Sequence, residues 1–434
     1  MDLYLMLLVY LAPFAVGAGL YAYFRTKASR RAAAVFAEAK EAGLIEPPSL
    51  HPHIELALCC GSAACVAACP EGDVIGVING KAQLIDPSAC IGHGACAAAC
   101  PTNAITLVFG TRTRGIELPV VSPDFQTSVP GLFIAGELGG MGLIRNAISQ
   151  GQQAVDSIHK LRGKAQGDLL DLIIVGAGPA GLAASLAAKS LGLRFETIEQ
   201  ESTGGMIAHF PRGKVVMTKP AVLPLIGPMK FTEISKERLL EFWQGAIQQT
   251  GLNIENGVRL EGVIPFDGGL EVITTAGRRK ARSVLLAIGR RGTPRKLDIP
   301  GEDMPKVVYR LDDPAQFDGK RVLVVGGGDS ALEAAATIAE ETSALIHLSY
   351  RGEAFQRARR KNRDRVATLA ASGRLSTHLG SEITAILPDR AKLKTTSGQI
   401  DILNDAVIIC AGGVLPSELL RTMGVNVVTK YGEP

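Results

Sequence analysis

Seven of the eight cysteines of this 434-residue chain fall between Cys59 and Cys100, and their spacing repeats. Cys59, Cys65 and Cys69 take the first, seventh and eleventh places of a run closed by Pro70. Cys90, Cys96 and Cys100 take the same places of a run closed by Pro101. Thiols this concentrated, with Cys410 alone in an apolar run, suit a metal cluster in a reducing compartment better than a disulfide framework. A second chemistry is carried by glycines. Residues 171–181 (DLIIVGAGPAG) lead from a short β-rich run into Gly176, Gly178 and Gly181 at GxGxxG spacing. The first glycine permits a tight turn, the second lets backbone approach a pyrophosphate, and the third lets helix pack on strand. Pro179 and Ala180 open the helix, whose unpaired N–H groups then face the phosphates. The next β-rich run, 193–199, ends in Glu199, where an acid accepts hydrogen bonds from a ribose.

Residues 321–335 (RVLVVGGGDSALEAA) repeat the arrangement, with Gly326, Gly328 and Ala331 at GxGxxA spacing and Asp329 and Ser330 at the helix start. Two such motifs about 150 residues apart are far more specific than either alone. The partner run 344–350 is followed by Arg351, not by an acid, and arginine there pairs with a 2'-phosphate, favouring NADP over NAD. Arg357, Arg359, Arg360 and Lys361 come next; a solvated helix face explains them as well as a phosphate site does.

A chain of this length holds two or three domains. The formal charge of +4, from 46 basic and 42 acidic residues, gives no field that argues for nucleic acid. Residues 3–24 are apolar, uncharged and long enough at 1.5 Å per residue for a ~30 Å hydrocarbon core. Tyr4, Tyr10, Tyr21 and Tyr23 lie mostly near the ends, and Pro13 is a kink point. A signal peptide or a buried core helix competes with a span, but no basic region precedes the segment. Arg25, Lys27, Arg30 and Arg31 follow it, which places the rest of the chain in the cytoplasm. Residues 30–41 read as a helical continuation, and 46–53, with Pro47, Pro48 and Pro52, as a stiff linker.

The two cysteine runs resemble the bacterial two-cluster ferredoxins, in which the fourth cysteine of each run ligates the other cluster. The second cysteine is absent from both runs, with Ser62 in the first and His93 in the second. The resemblance implies one cluster on Cys59, Cys65 and Cys100 with Ser62 or nothing at the fourth corner. It implies another on Cys90, Cys96 and Cys69 with His93, while Cys60 stands one place off register.

From residue 120 the chain resembles flavoproteins of the thioredoxin reductase and ferredoxin-NADP reductase type 2 class, over about 300 residues. Residues 122–140 (SPDFQTSVPGLFIAGELGG) resemble the closing strand of that class and its flavin-contacting GD pair, here Gly136 and Glu137. Arg145, Asn146 and Ala147 match the helix start near the flavin pyrimidine. Gly204 and Gly205 match a loop beside the flavin. Val258, Ala287 and Gly289 match the second flavin-domain β-unit, and residues 291–302 the interdomain crossover. In the class the closing strand ends the chain; here it precedes the FAD motif, which implies a circular permutation. The chain end around 431–434 should then lie near 117–123, and Glu137 and Arg145 should face the Gly176 cavity.

The fold expected is α/β, with two Rossmann-like domains for FAD and NAD(P), a small α+β dicluster ferredoxin domain and one N-terminal transmembrane helix. Its parts are a span over 1–24, a linker over 25–53, the ferredoxin domain over 54–110 and the permuted closing segment over 111–162. The FAD domain over 168–297, the NAD(P) domain over 298–416 and a return over 417–434 complete it. The function expected is a single-pass inner-membrane iron-sulfur flavoprotein passing electrons between NAD(P)H, FAD and two Fe-S clusters (4Fe-4S, one of them open to 3Fe-4S). Its partner is a redox protein or quinone. No CxxC pair follows residue 280, which argues against thioredoxin-style disulfide exchange. A low-molecular-weight disulfide or quinone reductase, a non-catalytic redox sensor and a homodimer stay open. No side chain is needed as nucleophile or base.

Overall fold

The computed structural model describes residues 3–41, 45–47, 50–90, 92–140, 142–162, 167, 169–210, 212–218, 220–290, 293–355 and 358–433, without the side chains of residues 3–10, 162, 217 and 293. Pro48, Met141, Arg291, Arg357 and Pro434 lie outside the described residues. The chain forms two compact units, Met1–Ile116 with Lys430–Pro434, and Glu117–Thr429.

In the first unit a helix runs unbroken over Leu3–Glu41, through Pro13. It lies on the Ile75–Ile78 hairpin strand at Gly76, where a Cβ would come within 2.6 Å of the Ala32 Cβ. The expected membrane span is not found: among the described residues no helix is long and apolar enough to cross a membrane. The helix Leu3–Glu41 carries Pro13 within it, and Arg25, Lys27, Arg30 and Arg31 follow on the same helix. The expected linker is corrected too, since His51–Ile54 is a strand, paired antiparallel with Ile105–Val108. Ile75–Ile78 pairs with Lys81–Leu84, and the four-residue helices Ala64–Ala67 and Ala95–Ala98 follow the two cysteine loops. Cys65, Cys90 and Cys96 belong to the small core with Val74, Ile75, Ala82 and Ile105.

In the second unit the first glycine motif stands in a seven-stranded sheet. Leu170–Val175 pairs in parallel with Phe195–Glu199 on one side and Gly277–Leu286 on the other, and an antiparallel hairpin, Leu260–Phe266 and Gly269–Thr274, extends the edge. Leu132–Ile134 joins this sheet beside Val284–Leu286, in parallel. Successive side chains of a strand point to opposite faces. Leu132 and Ile134 accordingly enter the core on one face and Phe133 the core on the other. Leu420, Met423 and Val425 pack on the same face as Leu132, and the Val120 N–H donates to the Asn426 carbonyl at 2.8 Å. In the first unit, the Gly432 N–H donates to the Phe109 carbonyl at 2.8 Å.

The second motif stands in a five-stranded parallel sheet of Val307–Val308, Ala406–Ile409, Arg321–Val325, Leu345–Tyr350 and Leu375–Leu379. The helix Lys236–Thr250 starts where the Ser235 hydroxyl caps it by accepting the Arg238 N–H. Arg145, Asn146 and Ala147 lie in the first turn of the helix Ile144–Arg162.

Candidate functional site

Gly176 ends its strand at φ +105°, and a Cβ there would come within 2.5 Å of the Ala287 carbonyl oxygen. At Gly181 a Cβ would meet the Gly176 oxygen at 1.8 Å, so helix and turn touch backbone to backbone. Gly178 is different: only the Gly205 Cα lies near, at 3.8 Å. The helix Pro179–Ser190 has no side-chain cap, so its first N–H groups have no capping side chain to accept from them. Gly204, at φ +108°, donates its N–H to the Ala177 carbonyl at 2.9 Å and folds Gly205 over the turn. Glu199 is buried; its Oε2 accepts the Ala177 N–H at 2.7 Å and its Oε1 the Glu201 N–H at 3.1 Å. The Glu199 carbonyl accepts the Val258 N–H at 2.9 Å, and Gly289 sits at φ +66° just beyond buried Ala287.

The closing segment lies against this turn. A Cβ on Gly136, at φ +82°, would approach the Ala180 Cβ to 3.0 Å and the Ala147 Cβ to 3.8 Å. The Gly136 N–H donates to Gln150 Oε1 at 2.9 Å. Gly151, inside the Ile144–Arg162 helix, lets that helix touch the Ala180 carbonyl, where a Cβ would stand at 2.1 Å. Glu137 is half-buried and Arg145 exposed. Gln150 and Gly151 escaped sequence reasoning, although a mid-helix glycine, which costs about 1 kcal/mol against alanine, is itself a signal of close approach.

The second turn repeats the first. Gly326, at φ +145°, would place a Cβ 2.4 Å from the Cys410 carbonyl oxygen, while Gly328 has open space. The helix Asp329–Glu341 is likewise uncapped by a side chain. Asp329 Oδ1 accepts the Arg359 N–H at 2.8 Å and the Asn362 amide at 2.9 Å, so this carboxylate ties the turn to the following basic helix; Ser330 is exposed. The strand ends at Tyr350, and exposed Arg351 stands one residue past it. Cys410 is half-buried, and desolvation pushes its thiol up to about 12. Lys214 pairs with both Glu333 oxygens at 2.7 Å, and Arg310 and His209 share Glu201 Oε2 at 3.0 and 2.8 Å.

The cysteines fall into two sets. Cys65 has Cys59 and Cys100 as electrostatic neighbours, whereas Cys90 has Cys69, and Cys96 has Cys90, Cys69 and Cys65. Burial pushes the thiols of Cys65, Cys69 and Cys90 up, and that of Cys96 to about 11. At Cys100 desolvation is the largest single effect and raises the thiol, but hydrogen bonds from Thr102, Ala104 (N–H at 3.2 Å) and Ile105 together outweigh it and hold the thiol down. Cys59, Cys60, Ser62, Cys65 and Cys100 line one cavity. Half-buried His93 lies on the loop between Gly92 and Gly94. Among the described residues no three His, Cys, Asp or Glu groups converge on a single metal ion. A four-iron cluster instead takes its thiolates at separate corners around a cavity, which this donor set fits. Likewise, two uncapped helix starts beside open glycines fit two pyrophosphates.

Residues 173–433 match the pyridine nucleotide-disulphide oxidoreductase family, and residues 51–101 match the 4Fe-4S dicluster domain. The first match covers more than half the chain, which therefore belongs to that family and is an FAD-dependent NAD(P)H oxidoreductase with a 4Fe-4S domain. Among its relatives, a ferredoxin–NADP reductase of Ignicoccus hospitalis is 28% identical over 271 residues, 59% of this chain and 81% of that protein. One from Lactococcus lactis subsp. cremoris is 34% identical over 192 residues, 43% of this chain and 57% of that protein. Another, from Cupriavidus pinatubonensis, is 31% identical over 215 residues, 47% of this chain and 58% of that protein. The chain thus spans little more than half the length of the latter two. A bacillithiol disulfide reductase from Bacillus cereus shares the fold, with 21% identity and a TM-score of 0.52 over 60% of this chain and 82% of that one.

Proposed function

We propose that this chain passes electrons between NADPH and a redox protein or quinone through FAD at the Gly176 turn and two Fe-S clusters at the cysteine runs. The observation that carries the reading is the pairing, in one chain, of two open glycine turns with two sets of thiols, while the described cysteine nearest the second turn, Cys410, is a single half-buried strand-end thiol. FAD, when bound, divides a two-electron donor into the one-electron steps that clusters require. The chain's own residues bind and orient. Gly178 and the N–H groups after it hold the flavin pyrophosphate, Glu199 accepts from ribose while keeping Ala177 in place, and Gly136 admits the cofactor beside Ala180. Gly328 and Arg351 hold the nicotinamide nucleotide. Cys59, Cys65 and Cys100 hold one cluster, and Cys69, Cys90, Cys96 and His93 the other. The position of Leu132–Ile134 in the sheet supports reading residues 111–162 as a permuted closing segment.

Anaerobic purification with flavin, iron and sulfide analysis tests the cofactor set. Steady-state NADPH oxidation with ferredoxin, quinone and low-molecular-weight disulfide acceptors then tests the reaction. Turnover with disulfides alone, undiminished after iron removal, overturns the electron path.

A further inference from the structure

We propose that Cys60 is the fourth thiolate ligand of the first cluster, replacing the cysteine absent at position 62. The inference deepens the dicluster reading of residues 51–101 and rests on it. The two cysteine loops share two positive-φ positions at the same spacing. Gly61 and Gly92 both have positive φ, +67° and +73°, Ala63 and Gly94 follow at +61° and +79°, and a four-residue helix follows each. Cys60 therefore matches position 91, an isoleucine, so the first loop carries one thiol more than the second.

The loop is held so that two adjacent cysteines line one cavity. Lys81 Nζ donates to the carbonyls of Leu56 and Cys59 at 2.8 and 2.7 Å, and the Ala82 N–H donates to Cys59 Sγ at 3.4 Å. Gly61 then turns so tightly that a Cβ would stand 2.1 Å from the Gly80 oxygen. Cys59, Cys60, Cys65 and Cys100 line the cavity, with Cys60 the exposed thiol among them. Ser62 lines it too, but its Oγ lies 3.4 Å from the Ala64 N–H as acceptor at the helix start. Between the two donors, chemistry selects the thiol: thiolate is the soft ligand that iron-sulfur clusters take, and an alkoxide at neutral pH is far harder to form. Ligation exchanges the Cys60 S–H bond for an S–Fe bond and releases one proton to solvent, with no change of oxidation state.

The test is anaerobic reconstitution of the full chain with iron and sulfide, read by metal analysis, EPR and thiol alkylation. In Cys60→Ala the first site should become a three-iron cluster: iron falls from about eight to about seven per chain, and the EPR signal of an oxidised three-iron centre rises several-fold. Ser62→Ala should leave both unchanged. In the unsubstituted chain, iodoacetamide should label Cys60 in the apoprotein and spare it once clusters are loaded, a readout that needs no variant to fold. Equal labelling of Cys60 in both forms, or wild-type iron content and spectrum in Cys60→Ala, overturns the assignment while leaving the dicluster reading intact. Failure of the unsubstituted chain to take up iron and sulfide overturns both.

Discussion

The two nucleotide turns of the second unit share a plan and differ at one pair of positions. Val175 pairs with Ile198 and Val325 with Ser349, so Glu199 and Tyr350 are counterparts at the ends of their strands. In the first turn the residue between the leading glycines is Ala177, whose N–H is held by the Glu199 carboxylate. In the second it is Gly327, because the Tyr350 ring, stacked on Phe355 at 5.7 Å, lies 2.4 Å from where a Cβ would be. The neighbouring strand end thus decides the residue inside the glycine turn. A carboxylate clamps the backbone and leaves room for a methyl; an aromatic ring fills that room and leaves the charge to the next residue, Arg351.

The largest break should come where the turns agree. Gly176→Ala and Gly326→Ala each combine positive φ with a carbonyl at 2.5 or 2.4 Å, and should each cost about 3–5 kcal/mol in urea unfolding. Gly176→Ala should also lose flavin absorbance, whereas Gly178→Ala, which meets only the Gly205 Cα at 3.8 Å, should unfold like the parent. A smaller effect separates the halves by ligand. Arg351→Ala should weaken NADPH binding tenfold or more, about 1.5–3 kcal/mol, with NADH nearly unchanged in titrations of intrinsic fluorescence. Equal losses for both nucleotides would remove the 2'-phosphate role. Gly327→Ala should destabilise the nucleotide half by about 1–3 kcal/mol, and Tyr350→Ala in the same chain should recover part of it. Additive losses would show that the ring does not exclude the methyl.

The smallest effect is pH. His347 Nδ1 lies 3.0 Å from His378 Nε2, and both are held below the ordinary histidine value, by burial first and at His347 also by the neighbouring imidazole. Their neutral forms are the folded ones, so their contribution is present above the unfolded value of about 6.5 and is lost as pH falls below it. Melting temperature should fall between about pH 7 and pH 5.5, less steeply in His347→Gln with His378→Gln.

What could be read in the sequence was local. Gly176, Gly181 and Glu199 act within one βαβ unit, where spacing alone brings them together. The two thiol sets, with Cys69 and Cys100 each crossing to the other, came from the resemblance to two-cluster ferredoxins, which the repeat alone does not supply. Long-range pairing was harder: residues 51–53 read as a proline-rich linker because nothing in HPHI names Ile105–Val108 as its partner. Arg351, one residue past the run 344–350, was compared with the acid of the first motif, whereas register makes Tyr350 the counterpart of Glu199. Asp329 was read as a residue of the second nucleotide motif, and nothing in that spacing names Arg359 and Asn362 as its hydrogen-bond partners.

The strand Leu132–Ile134 has a consequence for how the protein is made. Its sheet partner begins at Val284, about 150 residues later in the chain. At ~5–20 residues per second of synthesis, three residues that end fully buried wait roughly 8–30 s for the strand they pair with. During that interval Leu132, Phe133 and Ile134 form an unpaired apolar edge on a nascent chain, the kind of segment that recruits chaperones or aggregates. Expression yield should therefore depend on translation rate between codons 134 and 286 more than on rate elsewhere.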